Sequence, residues 1–193
     1  MKNTSTNLPI FPLPVFLLPN GITRLRIFEQ RYLKMVKIAS KGQGFVIWLN
    51  SKELKKPAIH WGSWVEIINF NQGKDGVLEI DVKCKSLVDI LSINKDEDNL
   101  HFGEIIPIKH WSQKNINALE NSLSESLNKA HTNDPMLNEL YSNTQSQNTN
   151  WVIARWLEIL PINLSVKSSF VDVHNIEAAK VFVESIISND DIN

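Results

Sequence analysis

Cysteine is nearly missing from this chain: Cys84 is the only one in 193 residues. That excludes an internal disulfide and fits a reducing compartment, so a cytoplasmic location is expected. An excess of one charge is missing too. Lys and Arg total 20 against 21 Asp and Glu, a formal net charge of -1, so no strong field draws the chain to nucleic acid or anionic lipid. Long hydrophobic runs are also absent. The longest, Leu8 to Leu18, is broken by Pro9, Pro12 and Pro14 and preceded only by Lys2, unlike a signal peptide. No stretch approaches the roughly 20 apolar residues that cross a bilayer, so no membrane partner is expected.

The motifs of catalysis are missing as well. Gly73-Lys74-Asp75-Gly76 lacks the spacing and the magnesium hydroxyl of a phosphate loop and reads as a hairpin turn. There is no G-x-S-x-G elbow, and Ser40-Lys41 and Lys167-Ser168 lie in polar stretches without an oxyanion partner. His60, His101, His110, His131 and His174 are scattered, none three or four residues from another His or a Cys, so no metal site is expected. Cys84, between Lys83 and Lys85, reads as an inert, partly buried thiol. The expectation is a non-enzyme with no catalytic residue, cofactor or metal.

What is present is a core-sized apolar fraction, 42% of residues, arranged with two periods. Leu8 to Phe16, interrupted by prolines, predicts an edge strand or extended lead-in. After the Asn20-Gly21 turn, Leu25 and Ile27 alternate with Arg24 and Arg26 as in a half-buried strand. Phe28, Tyr32, Met35, Val36 and Ala39 recur at helical spacing until Gly42 and Gly44. Strands follow at Phe45 to Leu49, Val65 to Phe70 and Val77 to Lys83, the last two joined by the turn Asn71 to Gly76. Two more flank Lys95 to Asn99: Leu87 to Ile93 and Leu100 to Ile108. Beyond Trp111 the period becomes helical, first through Ile116, Leu119, Leu123 and Leu127, then from the cap Asp134-Pro135 through Tyr141. A third helix, capped by Thr149 or Asn150, must end at Pro161, and a last one runs from about Asn175. The fold class is therefore α+β, a small barrel or curled sheet with one packed helix followed by helices, with the change of domain near Trp111.

The string LPIFPLPVFLLPNGITRLRIFEQRYLKMV, from Leu8 to Val36, sets fixed prolines beside Arg24, Arg26 and Arg31 around Phe28 and Tyr32. It resembles the opening of the Lon protease substrate-binding domain, with its pattern P-L-F-P-L followed by I-F-E-x-R-Y. The likeness continues through Gly62 to Phe70, Gly76 to Val82 and WVIARWLEILPINLSVKSSFVDV, and so covers nearly the whole chain. One departure stands out: after Val82 the family commonly has a glycine and an Arg-Phe pair, where this chain has Cys84, Leu87 and Val88. Any contact the family makes through that arginine is not carried over.

The resemblance implies a PUA-like β-barrel with one packed helix in residues 1–111 and an α-helical bundle in residues 112–193. It also implies recognition of unfolded or exposed polypeptide, and Asn193 is reached before an ATPase or peptidase module begins. The expected function is a non-catalytic binding module, an adaptor or competitor for a protease in protein quality control. The alternative is an RNA-binding PUA-like protein, which the near-neutral charge disfavours.

The candidate binding residues are Phe16, Leu17, Leu18, Arg24, Arg26, Phe28, Arg31 and Tyr32. Strand alternation cannot bury Phe16, Leu17 and Leu18 on one face, which predicts an exposed apolar patch there. Phe28, Glu29, Arg31 and Tyr32 have two readings. They form the lip of a client groove, or Phe28 and Tyr32 share a helix face as core. Arg24 and Arg26, opposite Leu25 and Ile27, are expected to be exposed, pairing with acidic client segments or solvating a strand edge.

Overall fold

The computed structural model describes residues 5–50, 60–111, 121–142, 148–171 and 176–190. They form a mixed α+β protein that divides into two compact units, Met1–Ile108 and Lys109–Asn193. The first holds six strands, β1 Thr6–Leu13, β2 Ile22–Ile27, β3 Phe45–Leu49, β4 Trp61–Gln72, β5 Leu78–Lys95 and β6 His101–Pro107, with one helix, α1 Gln30–Ala39. The strand order is β2-β5-β4-β3-β1-β6, and β6 also pairs with β5.

β1 departs from the expected edge strand or lead-in, because it lies between two partners. Its prolines are accommodated by a staggered pairing: β6 covers Thr6 to Ile10 in antiparallel register and β3 covers Ile10 to Leu13 in parallel register. The N–H of Asn50 donates to the Leu13 carbonyl at 3.1 Å, so Leu13, Phe11 and Pro9 turn their backbone groups toward β3 while Ile10 and Pro12 turn theirs toward β6. Pro9 precedes the start of the β3 ladder and Pro12 lies past the end of the β6 ladder. Neither missing N–H falls where a partner needs it.

Alternation along β1 feeds both faces of the sheet. Leu8 and Ile10 join Val46, Val88, Ile90 and Ile105 in a buried cluster against which Trp48 and Trp64 pack. Phe11 faces the other way, its ring 4.1 Å from that of Tyr32 and 6.3 Å from that of Phe45. This contact docks α1, whose buried residues are Tyr32, Met35, Val36 and Ala39. The helix exits through Gly42 and Gly44 at φ of 101° and 71°, and a Cβ on Gly44 would sit 2.0 Å from the Val65 carbonyl oxygen. Only glycine meets both conditions.

Two expected strands, Val77 to Lys83 and Leu87 to Ile93, are one 18-residue strand, β5. The intervening residues contain no Gly or Pro to turn the chain, and the irregularity there is a register shift at Trp64/Val65 that leaves Lys85 unpaired with β4.

The second unit holds α2 Asn121–Asn133, α3 Pro135–Tyr141, α4 Thr149–Ile159, α5 Leu164–Ser169 and α6 Ile176–Asp190 among the described residues. Asp134 caps α3 by accepting from the N–H groups of Met136 and Leu137 at 2.9 and 3.0 Å, with Pro135 in the first turn. The cap of α4 is Asn148, not Thr149 or Asn150. The short α5, capped by Asn163, was not expected, since six residues are too few for a period to register. Ile116, Leu119 and Asn175 lie outside the described residues. Within the unit, Trp156 Nε1 donates to Leu123 O at 3.1 Å and the His131 ring stacks on Tyr141 at 4.6 Å. Arg155, 1% exposed, is paired with Glu158 through two contacts of 2.7 Å.

Candidate functional site

The Arg24 side chain, expected to reach a client or solvent, is held inside the sheet's own polar network. Its Nε and Nη2 donate to Asp81 Oδ1 and Oδ2 at 2.7 and 3.1 Å. The amides of Asn69 and Asn71 donate to the same carboxylate at 3.2 and 3.1 Å. Burial opposes ionisation of Asp81, but Arg24 and the two amides outweigh it and hold its pKa below the usual value.

Phe16, Leu17 and Leu18 are all buried, at 6%, 2% and 0% exposure. The expected patch there is not formed, because these residues belong to no strand and alternation does not govern them. In an irregular segment each side chain can turn inward: the Phe16 ring meets Trp61 edge-on at 5.9 Å, and the Leu17 carbonyl accepts from the Ser63 hydroxyl at 2.5 Å.

Phe28 shows the opposite departure. It precedes α1 instead of lying within it, so helical spacing does not carry it to the core, and its exposure is 73%. It stands at the rim of a groove of about 420 Å³ lined by Phe11, Pro12 and Leu13 from β1, Arg26 from β2, Phe28, Glu29, Arg31 and Tyr32 at the entry to α1, and His101 at the start of β6. The volume lies within the usual range for small-molecule sites. Of the sequence candidates, Arg26, Phe28, Arg31 and Tyr32 meet here; Phe16, Leu17, Leu18 and Arg24 do not.

The groove's polar groups are set by short ion pairs. Arg31 Nε donates to Glu29 Oε2 at 2.8 Å, and its guanidinium carbon lies 4.6 Å from the Tyr32 ring centroid. Arg31 Nη1 also reaches Asn99 O at 3.5 Å, and Lys34 pairs with Asp96, at 2.8 Å, and with Asp98. These contacts tie α1 to the β5–β6 turn and so hold the helix start against His101. Arg26 pairs with Asp75 and, at 3.7 Å, with Glu79. Burial, with Lys95 and Arg31 nearby, lowers the His101 pKa and keeps the imidazole neutral at pH 7. Burial likewise raises the Tyr32 pKa, against the influence of Arg31. The result is an apolar and aromatic groove whose charges are largely matched.

Sequence reasoning missed Phe11, Pro12, Leu13 and His101 as lining residues. Phe11 and Leu13 gave no sign of which face they occupied without the pairing partners of β1. His101 is distant in sequence and joins the groove only through its register with Ile10. Among the described residues no group of three or more His, Cys, Asp or Glu is placed to hold a metal ion, and no helix is long and apolar enough to cross a membrane.

Residues 7–179 match the family model described as the ATP-dependent protease La (LON) substrate-binding domain. The chain belongs to the Lon substrate-binding domain family. Among solved structures, the Lon substrate-binding fold of this chain is similar to the crystal structure of a Lon N-terminal domain protein from Xanthomonas campestris, with 25% identity, a TM-score of 0.64, and coverage of 95% of this chain and 98% of that one. It is also similar in fold to the N-terminal domain of the Mycobacterium avium complex Lon protease, at 8% identity, a TM-score of 0.61, and coverage of 93% and 97%. No curated protein matches the chain. The family assigns the domain to substrate recognition.

Proposed function

We propose that this Lon substrate-binding domain recognises unfolded or exposed polypeptide segments in the cytoplasm through the groove between β1 and the start of α1, as an adaptor or competitor for a protease. The single observation that carries the site is Phe28, a large aromatic side chain 73% exposed at the rim of an apolar groove. Leaving such a side chain in water has a free-energy cost that a bound client would relieve. In the same reading, the cycle of pairings β5–β4–β3–β1–β6–β5 supports a PUA-like barrel for residues 1–111, with a helical bundle domain in residues 112–193. The three arginines that an RNA site would use are each engaged with a carboxylate, which favours polypeptide over phosphate.

Titration with unfolded casein tests the proposal. Saturable micromolar binding is expected, weakened about 10-fold or more by Phe28→Ser, the loss that follows from forgoing burial of one large side chain. Absence of saturable binding overturns the function, and binding indifferent to Phe28→Ser overturns the site. A salt series separates the RNA reading, since phosphate binding weakens steeply with salt and apolar binding does not.

A further inference from the structure

One wall of the groove is a strand edge without a donor. β6 begins at His101, the partner of Ile10, so among the described residues no strand pairs with that side of β1 from Phe11 onward, and Phe11, Pro12, Leu13 and His101 all line the groove. The backbone direction fixed by the Asn50–Leu13 hydrogen bond turns Pro12, not Phe11 or Leu13, toward this open side. Pro12 presents a carbonyl and no N–H, and Pro14, just past the strand, has none either. A peptide joining a sheet needs donors and acceptors along the edge it joins. This edge lacks the donors, as natural edges do when strand addition is to be prevented.

Side-chain surface is what the groove does offer. Phe28 is exposed at the rim and Pro12 and Leu13 are half-buried, while the Phe11 and Tyr32 rings, 4.1 Å apart, line the groove as buried residues with the Arg31 guanidinium 4.6 Å from the Tyr32 ring centroid. A volume of about 420 Å³ leaves room for a large side chain together with part of the segment that carries it. We infer that the groove holds an extended client segment by one bulky apolar side chain, seated against Phe28, Pro12 and Leu13, and makes no sheet hydrogen bonds to the client's main chain. The inference rests on the reading of this groove as the client site and adds how the client is held there.

Nuclear magnetic resonance titration of the full chain tests it with three short Gly-Ser peptides of equal length. One carries a central Phe, the second the same Phe with N-methyl groups on the two residues flanking it, and the third Ser in its place. The first two are expected to bind within about 3-fold of each other and the third at least about 10-fold more weakly. The shifts should centre on the amides of Phe28, Tyr32 and His101. If N-methylation weakens binding as much as loss of the Phe does, the client is adding a strand and the inference is overturned, while the groove remains the site. If unfolded casein shifts these amides and no peptide does, single-side-chain capture is overturned alone. If casein does not shift them either, the site falls and the inference with it.

Discussion

Phe28 and Leu18 are both large, apolar and outside regular structure, yet one is 73% exposed and the other 0%. Their substitutions should therefore part ways. Phe28→Ser is expected to change unfolding free energy by less than about 0.5 kcal/mol while weakening client binding, whereas Leu18→Ala should cost about 2–5 kcal/mol of stability by leaving a cavity. Denaturant titration of both variants, set beside the binding titration, separates a groove residue from a core residue. Asp81 belongs with the core. Its side chain is 6% exposed and that of Arg24 16%, so Asp81→Ala strands a part-buried cation and should destabilise by about 3 kcal/mol. A cost below about 1 kcal/mol would mean that Arg24 readily reaches solvent, as the sequence alone suggested.

The elements show where local sequence speaks clearly. The Asp134-Pro135 cap is readable because capping is a contact between near neighbours, and Asp134→Ala should cost about 1 kcal/mol in thermal or denaturant unfolding. The alternation of Arg24, Leu25, Arg26 and Ile27 and the stop at Gly42 to Gly44 are readable for the same reason. β1 is different. Its prolines suggested an edge, and only the staggered ladders to β6 and β3 explain how a strand with Pro9 and Pro12 sits between two partners. Pro12→Ala adds an N–H on the open side, and the expected outcome is concentration-dependent self-association, seen by sedimentation, with stability altered by no more than about 1 kcal/mol.

Across the whole molecule, acid should act through the helical unit. Burial, with Arg155 nearby and Val171's backbone partly opposing, pushes the His110 pKa from 6.5 down to about 4. Burial and Arg155 also lower that of His131, against Asp134. Between pH 6.5 and 4 the unfolded chain takes up a proton at His110 that the folded chain refuses, so stability falls as pH falls through this window and is flat above it. The loss from His110 is at most about 3 kcal/mol. The melting temperature of the wild-type chain should fall relative to that of His110→Phe as pH drops across that range, and parallel curves would show that His110 is free to ionise in the folded state.

By itself the sequence determined the α+β class, the order of most elements and the Asp134 cap of α3, because each depends on periods and contacts within a few residues, and its opening string carried the likeness to the Lon family. It also marked the stretch from Arg26 to Tyr32 that the groove uses. Only the tertiary structure decided that Phe16, Leu17 and Leu18 are core and Phe28 is rim, since burial outside a helix or strand follows no period. It alone brought Phe11, Pro12 and His101 to the same groove, because strand register joins residues that no local pattern connects.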